Sequence, residues 1–219
     1  VLEPEVMDSP REAMDYDAMD HSTVNRVFVD DFLELWRTRF GGGAVGEVLD
    51  LGTGTAQIPI ELLRREPGFQ VLAIDLAESM LAIGRRNVEE AGFSRQIQLE
   101  QIDAKRLSYA SDRFAAVMSN SIVHHIPEPA DVLADACRVL QPDGVLFIRD
   151  LLRPQDDAAV RQLVDTYAAG ANEHQRQLFD ASLRAALSLE EVRDLVLRLG
   201  HRPDQVRQTS DRHWTWAIV

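Results

Sequence analysis

The chain has 219 residues, 45% of them hydrophobic and 27% charged, an ordinary balance for one folded α/β unit or two small ones. Its 36 Asp and Glu outweigh 23 Lys and Arg, and the formal charge of −13 repels phosphate backbones and anionic lipid, which argues against nucleic acid or a membrane surface as partner. A single cysteine, Cys137, excludes an intrachain disulfide and a cysteine metal cage.

Ser9-Pro10-Arg11-Glu12 reads as a helix start, with Ser9 as cap and Glu12 completing a capping box. Val24, Val27, Phe28, Leu35 and Trp36 give one apolar face to a helix over 22–38, and Gly41-Gly42-Gly43 ends it. From Glu47 the texture changes to short apolar runs alternating with helical patterns. Strands are predicted over 47–51, 70–74, 96–102, 114–119 and 144–150, with helices over 56–65, 78–91 and 130–140 between them. Cys137 falls on the apolar face of the last of these and reads as a buried, inert thiol. Such β-α alternation implies a parallel sheet covered by helices. Three further helices are predicted over 156–169, 172–186 and 189–199. The segments 205–208 and 212–219, joined by Thr209-Ser210-Asp211, read as an antiparallel hairpin. Trp214 and Trp216 alternate on the last strand and face either one layer of core or a dimer partner. No run has the length and apolarity of a membrane span and no leader pattern is visible, so the expectation is a cytoplasmic protein, monomer or homodimer.

The chemistry gathers at strand ends. Val48-Leu49-Asp50-Leu51-Gly52-Thr53-Gly54-Thr55-Ala56 takes a buried strand through two glycines into a helix, the arrangement that lets backbone approach a ligand closely. A dinucleotide loop would carry a third glycine at 57. Gln57 stands there instead, which counts against a nicotinamide or flavin cofactor. Asp75 ends the second strand, one β-α-β unit on, where a carboxylate can accept from both ribose hydroxyls. Asp103 follows the third strand and can accept from an adenine amine. Ser119-Asn120-Ser121 closes the fourth.

In this order the pieces resemble a class I S-adenosylmethionine (SAM)-dependent methyltransferase of the small-molecule type. The resemblance rests on residues 50–56, Asp75, Gln101-Ile102-Asp103-Ala104, 114–126 and 138–148 with its Leu140-Gln141-Pro142-Asp143-Gly144 turn. It implies a three-layer Rossmann-like fold, with a seven-stranded, mainly parallel sheet and a terminal antiparallel hairpin. One domain spans 1–219, with 1–40 as a helical lid and 154–199 as a helical insertion. It implies SAM as methyl donor, S-adenosylhomocysteine (SAH) as product and a small molecule as acceptor. Gly52 and Gly54 would line the methionine and ribose part of the cofactor. Asp75 would hold the ribose, with Leu76 on the adenine; Asp103 would read the adenine amine beside Ala104; and Asn120 would face the sulfonium.

Asp50 carries two readings, support of the loop's amides or contact with the cofactor. His124 and His125 are adjacent, point apart and make a poor chelating pair, so no metal is expected; His124 is a candidate for contact with substrate or cofactor. Tyr16 and His21 are candidates for a lid over the sulfonium, against a surface helix packed by Met14 and Met19. Any of His124, His21 and Tyr16 could serve as a base. Arg149 and Arg153 flank Asp150 and either meet substrate groups or form a solvated ion pair. Two other functions fit less well: a SAM-binding sensor or partner subunit without turnover, and a nicotinamide-dependent oxidoreductase.

Overall fold

Apolar β-branched runs that stop at glycine or at a carboxylate set the strand ends here, and the intervening amphipathic stretches set the helices. In a computed structural model, residues 8–43 and 45–219 are described. Residues 1–7 of the expected lid, and Ala44, lie outside the described residues. The elements in chain order are α1 (Pro10–Asp17), α2 (Ser22–Phe40), β1 (Gly46–Leu51), α3 (Gln57–Arg65), β2 (Phe69–Asp75), α4 (Glu78–Glu90), β3 (Ile97–Gln101) and β4 (Phe114–Asn120). After a 3-10 turn (Val123–His125) come α5 (Pro129–Val139), β5 (Leu140–Leu151), α6 (Asp157–Tyr167), α7 (Glu173–Ala185), α8 (Leu189–Arg198), β6 (Val206–Gln208) and β7 (His213–Ile218).

The seven strands form one sheet in the order β3-β2-β1-β4-β5-β7-β6, the expected Rossmann-like layout with an antiparallel hairpin at its end. β1 lies between β2 and β4 and is parallel to both, with Asp50 opposite Ala73 on one side and Met118 on the other. The order reverses between β1 and β4, so their carboxyl ends open a crevice at the point where α/β sheets bind ligands.

The chain divides into two compact units. The larger holds the described residues up to Asn120, together with Asp131–Ile148 and Ala217–Val219. Its core is aromatic on one side: α2 buries Phe28, Phe32 and Trp36 at helical spacing, where they meet Phe69 and Phe147. Each such side chain contributes roughly 1.5–3 kcal/mol by leaving water. α1 is a separate helix, closed by the capping box expected of Ser9 and Glu12. It packs on α4 through Ala13, with Tyr16 beside it. Met14, which packs this helix in one of the two readings, is exposed, because α1 turns Ala13 and Tyr16 inward and leaves Met14 on its outer face.

The smaller unit comprises Ser121–Ala130 and Arg149–Trp216. α6 and α7 pack through Val160, Leu163, Val164 and Leu183, and Asp156, Asn172 and Ser188 cap α6, α7 and α8 with their side chains. Trp214 and Trp216 are fully buried, which makes them core residues and removes the reading as a dimer contact.

Two local expectations change. Residues 140–143, read as a turn, are already extended, and β5 starts at Leu140 with Gln141 held by its side chain to the Arg113 carbonyl. Arg149 is not solvated: it is buried and donates from Nε to the Thr215 hydroxyl at 3.0 Å. Arg153 does form such a pair, with Glu191.

Candidate active site

The glycine loop of the larger unit is built by three left-handed residues. Gly52, Gly54 and Ala56 have φ of 71°, 56° and 63°, and this backbone turns β1 sharply into α3. The Gly52 and Thr53 amides both donate to the Ile74 carbonyl at 2.9 Å, so the loop is anchored to the end of β2. Gly54 donates to Asp75 Oδ2 at 2.8 Å, and Ala77 donates to Asp75 Oδ1 at 2.9 Å. Asp75 thus ties the loop to the start of α4. A Cβ on Gly54 would meet the Tyr16 ring at 3.6 Å and nothing else within 4 Å among the described residues. The loop and Tyr16 therefore face each other across a narrow space. Gly84 of α4 packs against Thr55 and Ala56, where a Cβ would sit 3.4 Å from both.

The ends of β1 and β4, the loop and the start of α2 carry buried polar atoms without a geometric hydrogen-bond partner among the described residues: Asp50 Oδ2, Asn120 Oδ1, Thr53 Oγ1, Thr55 Oγ1 and His21 Nε2. Buried polar atoms are normally paired, and a cluster of unpaired ones beside one strand crevice marks a place where a polar ligand completes them. Asp50 is 2% exposed. Burial pushes its carboxyl up to about 7, with a further push from Asp75, while the nearby Thr53 hydroxyl offsets part of the rise. Asp75 is also raised, chiefly by burial, against the pull of its backbone donors. Tyr16 keeps part of its ring accessible, yet its phenol lies deep enough for burial, then Asp75, Asp50 and Asp17, to lift it to about 12. His21 stacks on Tyr16 with ring centres 4.6 Å apart and is held below its usual range by burial.

The other residues singled out in the sequence take the following places. Leu76 and Ala104 are half-buried, and the Leu76 carbonyl accepts from Gln101 Nε2. Asp103 accepts from the Lys105 amide at 2.9 Å and stands 3.6 Å from Lys105 Nζ, so it stabilises its own turn. His124 belongs to the smaller unit. It is buried, and its Nδ1 lies 2.6 Å from Asp150 Oδ1, while Asp150 also accepts from the Val123 and Leu151 amides. With Nδ1–H donating to Asp150, the basic nitrogen of His124 is Nε2. No group of three or more metal-ligating side chains occurs among the described residues.

The contacts made by three residues escaped the sequence reading. Asp150 lies 26 positions from His124, and only its place at the end of an apolar strand hinted at it. Gln57 and Asn87 both donate to Asp17 Oδ1, at 3.1 and 2.9 Å, and Gln57 also accepts from Asn25. The residue that stands where a third glycine would be is therefore the one that clamps the N-terminal segment beside the loop.

The residues present suit SAM. Asp75 and Asp103 are carboxylates at successive strand ends, Gly54 leaves room against an aromatic ring, and Asp50, Thr53, Thr55 and Asn120 offer unpaired polar atoms. No helix among the described residues is long and apolar enough to cross a membrane.

Residues 48–144 match the family described as "Methyltransferase domain". The ubiquinone/menaquinone biosynthesis C-methyltransferase of Cereibacter sphaeroides is 30% identical over 141 residues, which cover 63% of this chain and 55% of that protein. The chain thus spans about half the length of the curated relative it matches. A Bacillus halodurans protein described as a methyltransferase superposes with a TM-score of 0.59 at 25% identity, covering 82% of this chain and 71% of that one. The plantazolicin methyltransferase BpumL, solved with a monoazolic desmethylPZN analogue and SAH, gives a TM-score of 0.72 at 16% identity over 92% and 74% of the two chains, a likeness of fold. With the matched loop, the sheet order and these relatives together, the chain is similar to the class I SAM-dependent methyltransferases, and residues 48–144 carry the matched domain.

Proposed function

We propose that the protein transfers a methyl group from SAM to a small-molecule acceptor. The observation that carries this reading is the set of unpartnered buried polar atoms in and beside the glycine loop, whose Gly54 faces Tyr16. When bound, SAM supplies a methyl group activated by the sulfonium. The protein's own part is alignment and exclusion of water. In this reading Asp75 holds the ribose while keeping Gly54 in place, Asp103 and Ala104 flank the adenine with Leu76, and Gly52, Asn120 and Asp50 line the methionine end. Residues 8–28 act as the lid, with Tyr16 and His21 over the loop and Asp17 as the latch; residues 154–199 are an insertion within a single methyltransferase domain.

His124 takes the acceptor's proton on Nε2, with Asp150 fixing the tautomer and stabilising the imidazolium that results. That chemistry serves a hydroxyl or amine acceptor. A small acceptor, rather than nucleic acid, goes with the charge of −13. A cytoplasmic setting is part of the reading, supported by one unpaired, half-buried cysteine.

The experiment is incubation of the protein with methyl-labelled SAM and a metabolite extract, followed by identification of the labelled product. Label in a small molecule supports the reading. Tight SAH binding without label transfer from any extract favours a sensor or partner subunit, and preferential binding of a nicotinamide cofactor overturns it.

A further inference from the structure

The segment that joins β3 to β4, residues 102–113, forms no helix or strand, so its course depends on tertiary contacts. Two side chains of α5 hold it. Asp135 Oδ2 accepts from the Leu107 amide at 2.7 Å. Arg138 donates from Nη2 to the Leu107 carbonyl and from Nη1 to the Tyr109 carbonyl, both at 2.8 Å. Its Nε donates to Asp135 Oδ1, also at 2.8 Å, so the two side chains brace each other across one helical turn. Both polar groups of the Leu107 backbone are therefore bound by one pair of side chains, and the Leu107 side chain is itself buried. The Arg138 carbonyl accepts from the Asp112 amide at 3.0 Å, which pins the far end of the segment.

A partly exposed ion pair contributes little as an ion pair. In this one, Asp135 Oδ2 and Arg138 Nη1 and Nη2 go to backbone that no ladder or helix satisfies, and a guanidinium with its donors in a fixed fork holds two carbonyls at a set spacing. The stretch between Asp103 and Leu107 is closed by its own bonds. The Lys105 amide donates to Asp103 Oδ1 at 2.9 Å and the Arg106 amide to the Asp103 carbonyl at 3.0 Å. On the other side the Ile102 amide donates to the Asp75 carbonyl at 3.0 Å. Asp103 thus sits in a turn fixed at one end to β2 and at the other, through Leu107, to α5.

We propose that Asp135 and Arg138 are positioning residues for the nucleobase: through the backbone of Leu107 and Tyr109 they hold the Asp103 carboxylate where it accepts from the adenine amine, and so set the preference of the site for adenine. The pair acts only through the segment it holds. This inference rests on the SAM reading, with Asp103 at the adenine, and is separable from it.

The test is titration calorimetry of the full chain with SAH and with S-inosylhomocysteine, in which a carbonyl oxygen replaces the adenine amine. The wild type should bind SAH more tightly, because the Asp103 carboxylate accepts from the amine and repels the carbonyl. R138M keeps the apolar stem of the side chain and removes the fork. It should weaken SAH binding by about 2- to 30-fold, the span for a residue that acts on a ligand through its neighbours, and should weaken S-inosylhomocysteine less. R138K keeps the charge beside Asp135 but cannot hold two carbonyls in a fork, so its ratio of the two affinities should fall between those of R138M and the wild type. D103A should abolish the preference, and R138M added to it should not change the ratio further. The wild-type ratio in R138M overturns the inference and leaves the cofactor reading standing; if R138M does not fold, R138K decides on the same ratio. A ratio that R138M still lowers in the D103A background overturns it as well. Equal affinity of the wild type for the two ligands removes Asp103 as the adenine contact and the inference with it, and failure of the wild type to bind SAH at all removes the SAM reading.

Discussion

Gly54 donates its amide to Asp75 Oδ2 at 2.8 Å, so the residue proposed to hold a ribose also holds the glycine loop. The two functions predict different losses. Asp75→Ala removes the acceptor for Gly54 and Ala77 and should weaken SAH binding by about 1.5–3 kcal/mol, the range of a hydrogen bond to a charged group. It should also lower unfolding stability by about 1–2 kcal/mol, because two partly buried amides lose their partner. Calorimetry and urea unfolding measure the two separately. Loss of binding with stability intact would show that Asp75 matters to the ligand alone; the reverse would show a purely structural residue.

The Asp17 latch predicts how the N-terminal segment behaves. Asp17→Ala frees Gln57 and Asn87, each of which loses a hydrogen bond worth about 0.5–1.5 kcal/mol. Cleavage by a protease between residues 8 and 21 should become faster in this variant, and added SAH should slow it less than in the wild type. Equal protection in both proteins would mean that the segment is held by Ala13 and α4 and does not respond to the ligand.

How much of this was legible in the chain depends on the sequence distance over which each feature forms. The glycine loop, the Ser9–Glu12 box and the carboxylates ending β2 and following β3 are local, and each was readable because strand, turn and helix follow one another along the backbone. The His124–Asp150 and Asp17–Asn87 pairs form between segments 26 and 70 residues apart, so no spacing rule announces them. The direction in which Met14 faces was not legible because a helix of eight residues has too few apolar residues to fix which side faces inward. Gln57 was read only for the glycine it is not; its amide can donate and accept at once, which is what the contact with Asp17 and Asn25 uses.

His124 and Asp150 allow a sharper separation of chemistry from folding. His124→Ala should reduce kcat by about 10²–10⁴ for a hydroxyl or amine acceptor while leaving SAH affinity within twofold. Asp150→Ala should behave differently, since it strips the Val123 and Leu151 amides of a buried acceptor at the same time. Its stability should fall by about 2–6 kcal/mol, from one to three per orphaned donor. Unchanged turnover in His124→Ala would remove the base assignment and point to an acceptor that needs no early deprotonation.

The last prediction concerns pH and His213. Burial, followed by Arg212 and Arg149, pulls this histidine down to about 4, and its Nδ1 meets the Ser210 hydroxyl at 2.9 Å. An unfolded histidine titrates near 6.5. Between those values the unfolded chain binds the proton and the folded one does not, so this residue's contribution to stability is full above about 6.5 and is lost as pH falls toward 4. Asp50 acts the other way. Its folded value, about 7, lies above the unfolded one of 3.8, so its contribution is present in acid and is lost as pH rises toward 7. The two opposing slopes overlap between about pH 4 and 6.5, and the wild type alone cannot separate them. His213→Gln removes one slope and leaves the other. Urea unfolding at about pH 7.5, 6 and 4.5 should therefore show a variant that is less stable than wild type at neutral pH, through the lost Ser210 contact, but that gains on the wild type steadily as the solution is acidified. A constant difference between the two proteins across that range would mean that His213 titrates in the fold as it does in the unfolded chain, with the pull of Asp150 and Asp211 offsetting burial.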